Sequence, residues 1–169
     1  MSANLFLQTS PLTFSMSIQI VLGSKSDLKV AEKATAVLKE LGVKYKVSIA
    51  SAHRTPELVD KLVSEADAEV FIAIAGLSAA LPGIIAARTN RPVIGVPVSG
   101  ALNLDAILSV VQMPPGIPVA AVGLDRGENA ALLAAQILSL KDGRILEALE
   151  EYRRKLKDKV VKDSMEVDA

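Results

Sequence analysis

The sequence predicts an α/β domain: one doubly wound, five-stranded parallel sheet of order 2-1-3-4-5 with helices on both faces. Three observations predict it. Short, uniformly apolar runs such as VFIAIAG (70–76) alternate with segments of helical period, as buried parallel strands and their crossover helices do. Half of the residues are hydrophobic, yet only three Phe, two Tyr and no Trp contribute, so the core is aliphatic. Right-handed crossovers then leave 2-1-3-4-5 as the preferred strand order. A chain of 169 residues suits one domain with a real core.

The elements follow in order. IQIVLG (18–23) is an apolar run closed by glycine, the first strand. Asp27 to Leu41 carries apolar residues at Leu28, Ala31, Ala34, Val37, Leu38 and Leu41, a helical spacing that Gly42 ends. YKVSIA (45–50) is the second strand. Thr55 suits a helix N-cap, with Pro56 at the first helical position and Glu57 in the first turn, opening a helix to about Ala66. The third strand, 70–76, leads into LSAALPGIIAARTN, a loop and then a helix whose first turn tolerates Pro82. PVIGVPV (92–98) is the fourth strand, LDAILSVV (104–111) a short helix, QMPPGIP (112–118) a rigid loop and VAAVG (119–123) the fifth strand. ENAALLAAQILSL (128–140) is the next helix. Residues 141–169 hold eight cationic and eight anionic side chains, with one narrow apolar stripe of Ile145, Leu149, Tyr152, Leu156 and Val160. That pattern is an amphipathic helix, equally suited to its own domain or to a neighbouring subunit.

Composition excludes several classes of function. Lys plus Arg equals Asp plus Glu at 19 each, so no global field draws the chain to nucleic acid or to an anionic membrane. The absence of cysteine rules out disulfides, thiolate catalysis and Cys-ligated zinc, with a reducing cytoplasm as the default location. A single histidine makes a histidine-rich metal site impossible within one subunit, and no metal is expected. No apolar run approaches the roughly 20 residues a membrane helix needs. The opening MSANLFLQTSPLTFS lacks a basic segment and makes a poor signal peptide, whereas Met16 begins a cleaner start. The chain thus divides into a loose extension 1–15, an α/β domain 16–140 and a charged helix with its tail, 141–169.

Ligands of open parallel sheets bind beyond the carboxyl ends of the strands, where strand order reverses. The loops after strands one, two and three all emerge there: Gly23-Ser24-Lys25-Ser26-Asp27, Ser51-Ala52-His53-Arg54-Thr55 and Gly76-Leu77-Ser78-Ala79-Ala80. Ser24, Ser26 and the amides opening the first helix could hold a phosphate, since a helix N-terminus offers free N–H donors and a positive dipole end. Arg54 adds a planar fork for the same anion. Asp27 could accept hydrogen bonds from a sugar diol, and the imidazole of His53 could move a proton either way. Gly76 lets a flat ligand approach the backbone. Each loop alone also has a structural reading: a cap with Asp27 as N-cap, a solvated histidine, an ordinary strand-to-helix connection. Their convergence on one edge carries the functional reading.

Taken together, GSKSD (23–27), SAHRTP (51–56), AGLSAALPG (75–83) and QMPPGIPV (112–119) resemble the N5-carboxyaminoimidazole ribonucleotide mutase family of purine biosynthesis. The type is class I-like, also described as the catalytic subunit of phosphoribosylaminoimidazole carboxylase. ENAALLAAQIL (128–138) fits it too, so the resemblance runs from about Ile18 to Leu140. It implies a flavodoxin-like fold, a homo-octamer, a cytoplasmic enzyme and no metal or organic cofactor. The reaction implied interconverts N5-carboxyaminoimidazole ribonucleotide and 4-carboxy-5-aminoimidazole ribonucleotide, with an ATP-dependent carboxyaminoimidazole ribonucleotide synthase as a functional partner. By the same resemblance Ser24, Ser26, Ser51 and Arg54 line the phosphate and ribose pocket, with Gly23 and Ala52 beside them, and Asp27 binds the ribose hydroxyls. His53 is the implied general acid and base. Ala75, Gly76, Leu77, Ser78 and Leu81 surround the aminoimidazole and its carboxylate. One position departs: many bacterial mutases carry a second histidine before the Leu-Pro-Gly, where this chain has Ala80. A sister class carboxylates 5-aminoimidazole ribonucleotide directly with CO2. That reaction and a non-catalytic nucleotide- or flavin-binding module are the alternatives.

Overall fold

The structure, a computed structural model, describes residues 17–101 and 103–167. The expected extension 1–15 and the Met16 start lie outside the described residues. Five strands alternate with helices: β1 Ser17–Leu22, α1 Leu28–Glu40, β2 Lys44–Ile49, α2 Pro56–Glu65, β3 Val70–Ala75, α3 Leu81–Ala86, β4 Val93–Pro97, α4 Asn103–Val111, β5 Ala120–Ala121, α5 Gly127–Ser139 and α6 Gly143–Val167. All pairings are parallel and the order is β2-β1-β3-β4-β5, the flavodoxin-like topology.

The central strands β3 and β4 are buried along their whole length, which is why continuous apolar runs encode them, and β1 is buried almost throughout, its Gln19 included. Two aliphatic layers sandwich the sheet. On one face Ile18, Ile20, Leu22, Ile72 and Ile74 meet α1, α5 and the start of α6. On the other face Val21, Phe71 and Ala73 meet α2, α3 and α4. Gly95 in β4 leaves room for Val110 of α4; a Cβ there would stand 2.6 Å from the Val110 Cγ1.

The fifth strand is shorter than the apolar run VAAVG suggests. Only Ala120 and Ala121 pair with β4, and both are exposed. Val119 turns inward to fill the space over Gly95, and Gly123 leaves the strand with a φ of +100°.

The amphipathic stripe of α6 splits. Ile145 and Leu149 are buried in the domain's own core and Tyr152 packs against it, whereas Leu156 is 49% and Val160 67% exposed. Burial pushes the Tyr152 phenol above its ordinary pKa, with the carboxylates of Glu40 and Glu128 adding to the shift. Lys155 reaches Glu40 of α1 at 3.1 Å. Among the described residues no helix is long and apolar enough to cross a membrane.

Register sets the site. Leu22 is level with Ile49 of β2 and Ile74 of β3, and Ala75 with Pro97 of β4. The backbone continues the ladder one residue further: Gly23 N–H donates to the Ile74 carbonyl (3.0 Å), Ala50 N–H to Leu22 (2.9 Å) and Val98 N–H to Ala75 (3.0 Å). Four loops therefore leave the sheet at one edge and one height.

Candidate active site

The first loop is a capping box. Ser24 is extended and caps a single 3-10 turn, Lys25–Asp27, that leads into α1. Its Oγ accepts from the Ser26 N–H at 3.2 Å, while Asp27 Oδ2 accepts from the Ser24 N–H at 2.9 Å. Asp27 Oδ1 also accepts from the Ser26 hydroxyl at 3.1 Å. Asp27 stands at the N-cap position of α1, as expected, but its side chain makes no cap bond there. Ser24 caps the preceding 3-10 turn, and Asp27 is the reciprocal member three residues on. The Asp27 carboxylate is only 5% exposed, yet each oxygen has one protein donor and keeps lone-pair capacity toward the cleft.

The second loop folds on itself. Thr55 stands at the N-cap position of α2, but its hydroxyl makes no helix cap. It accepts instead from the Ser51 N–H at 2.9 Å, correcting the expected capping role. Arg54 is held twice: Nε donates to Ser51 Oγ and Nη2 to the Gly23 carbonyl, both at 3.2 Å. That second bond ties loop two to loop one. A guanidinium has five N–H donors, so about three remain for a ligand. His53 is exposed, and among the described residues its imidazole has no hydrogen-bond partner.

The third loop is strained. Leu77, Ser78 and Ala79 have φ of +25°, +66° and +32°, although none is glycine. Left-handed backbone costs an ordinary residue roughly 1–2 kcal/mol. The Ala79 N–H donates to the Gly76 carbonyl at 3.1 Å, closing a turn whose two central residues are both left-handed. Ala79 and Leu81 are buried, while Leu77 is 75% exposed. Gly76 lies close under the fourth loop: a Cβ would stand 3.3 Å from the Val98 carbonyl oxygen.

These loops enclose a cleft of about 570 Å³. From loop one it takes Gly23, Ser24, Ser26 and Asp27; from loop two Ser51, Ala52, His53 and Arg54. Ala75, Gly76, Leu77 and Leu81 come from loop three, together with Ala80. Ser78 stands apart from the lining, its N–H donating to Asp105 Oδ2 of α4 at 3.0 Å. Val98, Ser99 and Gly100, after β4, line the cleft and were not among the expected residues. The signal for them was topological: β4 neighbours β3, so its loop opens on the same edge. The Ser99 N–H is fixed by Asp125 Oδ1 at 2.8 Å.

A larger cavity of about 810 Å³ lies between residues 86–93 and 116–120, beside the amino end of β4. Its arginines are already engaged, Arg88 with Asp60 and Arg91 with the Ala66 carbonyl. The cleft around His53, with an unpartnered imidazole, a partly free guanidinium and hydroxyls at a helix start, is the one equipped for chemistry. No group of three His, Cys, Asp or Glu side chains among the described residues is placed to hold a metal ion.

A family model described as AIR carboxylase matches residues 17–159, including all four loops of the cleft. The chain belongs to the AIR carboxylase family. A Methanocaldococcus jannaschii member named N5-carboxyaminoimidazole ribonucleotide mutase is 63% identical over 144 residues, covering 85% of this chain and 92% of that relative. A relative from Methanothermobacter thermautotrophicus is 52% identical over 154 residues, or 89% of this chain. Against that longer relative the chain spans 46% of the length. Among solved structures, Treponema denticola PurE shares the AIR carboxylase fold with a TM-score of 0.81 at 33% identity, covering 90% of this chain and 99% of that one. The family read from GSKSD, SAHRTP, AGLSAALPG and QMPPGIPV is therefore the family of the chain.

Proposed function

We propose that the chain interconverts N5-carboxyaminoimidazole ribonucleotide and 4-carboxy-5-aminoimidazole ribonucleotide in purine biosynthesis, with His53 as its only general acid and base. The observation that carries this reading is the position of the sole histidine. It lines the cleft with a free imidazole, next to Arg54, whose guanidinium donates to the Gly23 carbonyl of loop one. The name borne by the 63% identical relative supports it.

In this reading Arg54, Ser24 and Ser26 bind the 5′-phosphate and Asp27 accepts from the ribose diol. The Gly76–Leu81 backbone covers the aminoimidazole and its carboxylate. Protonated His53 gives its proton to N5 as the bond between N5 and the carboxylate carbon breaks. The bonding pair goes to N5, and CO2 is released into the cleft. Ring carbon 4, nucleophilic because the amine feeds electrons into the ring, attacks the CO2 carbon. Neutral His53 then takes the proton from carbon 4 and the ring regains aromaticity. One group donates and later accepts, so the proton balance closes without a second titrating residue. Holding CO2 against carbon 4 is a proximity effect, with effective molarities of roughly 10⁵–10⁸ M in favourable cases. Apolar Leu77, Leu81 and Val98 in the lining limit its escape.

The same reading makes the α/β domain 16–140 catalytic and the chain a cytoplasmic homo-octamer supplied by an ATP-dependent carboxyaminoimidazole ribonucleotide synthase. Exposed apolar side chains on α4 (Leu104, Val111) and distal α6 (Val160, Met165) supply surface for assembly. A second reading, direct carboxylation of 5-aminoimidazole ribonucleotide by CO2, is favoured by Ala80. It lines the cleft where many bacterial mutases have a histidine. A flavin module fits less well, since among the described residues no Phe, Tyr or Trp lines the cleft. The deciding experiment offers purified protein N5-carboxyaminoimidazole ribonucleotide without bicarbonate, then 5-aminoimidazole ribonucleotide with it. Turnover of the first alone is the expected result. Turnover of the second alone assigns direct carboxylation, and inertness to both refutes an enzyme of this pathway.

A further inference from the structure

The strained turn of loop three is held from outside the cleft. Leu77, Ser78 and Ala79 are an unfavourable sequence for three successive left-handed residues, a geometry that normally selects Gly, Asn or Asp. Two hydrogen bonds oppose relaxation. One is the local bond from the Ala79 N–H to the Gly76 carbonyl. The other comes from Asp105, whose Oδ2 accepts from the Ser78 N–H at 3.0 Å. Asp105 lies in the first turn of α4, next to Ala106, and both Ala106 and Val110 are wholly buried against the sheet. The carboxylate is thus mounted on an element that cannot follow the loop. It also accounts for Ser78, whose N–H faces α4 while its neighbours Gly76, Leu77 and Ala80 face the cleft.

We propose that Asp105 is a positioning residue: through the Ser78 N–H it holds the Leu77–Ala79 turn left-handed, so that Gly76, Leu77 and Ala80 present a fixed wall to the reacting end of the ligand. The proposal rests on the reaction assigned above, in which that end carries the aminoimidazole and CO2. Phosphate and ribose are held by loops one and two, which Asp105 does not touch. Its loss therefore acts on the chemical step more than on binding.

The test compares the full chain with Asp105→Ala and Asp105→Asn. Two readouts are used: hydrogen exchange of the peptide spanning residues 76–81 without ligand, and steady-state turnover of N5-carboxyaminoimidazole ribonucleotide. Asp105→Ala is expected to speed exchange at the Ser78 amide about tenfold, the loss of one hydrogen bond. It is expected to lower kcat about 10- to 100-fold, as sub-ångström to ångström misplacement does, with KM changed less than about threefold. Asp105→Asn keeps a carbonyl acceptor and is expected to recover most of both. Wild-type exchange or wild-type kcat in Asp105→Ala overturns the proposal. So does a rise in KM that exceeds the fall in kcat, or an Asn variant as impaired as Ala. If the unaltered chain turns over neither ribonucleotide, the assigned reaction fails, and the exchange readout alone then decides whether Asp105 holds the turn.

Discussion

Replacing Arg54 by Met separates phosphate recognition from folding. In the free protein Arg54 spends two N–H donors on Ser51 Oγ and the Gly23 carbonyl, which leaves about three for a ligand. A charge-assisted hydrogen bond contributes about 1.5–3 kcal/mol when desolvated. Arg54 is exposed in the single chain, so the lower end applies to a bidentate contact. The pair is then worth about 2–3 kcal/mol, and ribonucleotide affinity falls about 30- to 150-fold at 1.4 kcal/mol per decade. The two surface bonds lost within the protein contribute at most about 1 kcal/mol, which lowers Tm by about 2–4 °C for a chain this size. Calorimetric titration with the ribonucleotide and with its dephosphorylated nucleoside distinguishes the cause. The variant should lose affinity for the first and match the unaltered protein on the second. Equal affinity of Arg54→Met for the ribonucleotide, or an equal loss with the nucleoside, refutes the assignment of Arg54 to the phosphate.

Two other substitutions test the proton step and the seating of α1. His53→Asn should reduce turnover by about 10²–10⁴-fold, the usual contribution of general acid–base catalysis, with Tm nearly unchanged because the imidazole makes no protein hydrogen bond. Near-normal activity would remove His53 from the mechanism. Gly127→Ala places a Cβ 2.1 Å from the Val30 carbonyl oxygen and 3.3 Å from the Ala34 N, backbone atoms of α1 that cannot rotate aside. Helix propensity alone would favour alanine by about 1 kcal/mol. Overpacking should win, destabilising the protein by about 1–3 kcal/mol or more. Thermal unfolding that showed an unchanged or higher Tm would contradict the α1–α5 contact.

Strand positions were legible wherever burial is complete, because a parallel strand covered on both faces takes mainly apolar residues, the buried Gln19 of β1 being tolerated by its bonds to the Ile20 carbonyl and the Ser48 hydroxyl. The same rule overextended β5. VAAVG is apolar, but an edge strand of small residues has one neighbour, and Val119 is turned to serve Gly95 instead of the ladder. In the cleft, loops one to three announced themselves through serine, histidine, arginine and aspartate at strand ends. The loop after β4 did not, because Val98-Ser99-Gly100 carries no charged group. The left-handed run 77–79 was also illegible, since Leu-Ser-Ala contains none of the residues that signal such a turn. Ser24 and Asp27 did carry the S-x-x-D spacing of a capping box, a local signal for the Ser24-capped turn that precedes Asp27 at the N-cap position of α1.

The described lining of the cleft runs from Gly23 to Gly100, so its side chains precede roughly the last two-fifths of the chain. Its geometry does not. α5, against which α1 is fitted at Gly127, comes later, as do Asp105 and Asp125, which fix the Ser78 and Ser99 amides. A nascent chain ending near Gly100 carries every cleft group on a sheet that lacks β5, with both helix layers incomplete and two rims unheld. A competent cleft thus depends on groups made after those that line it.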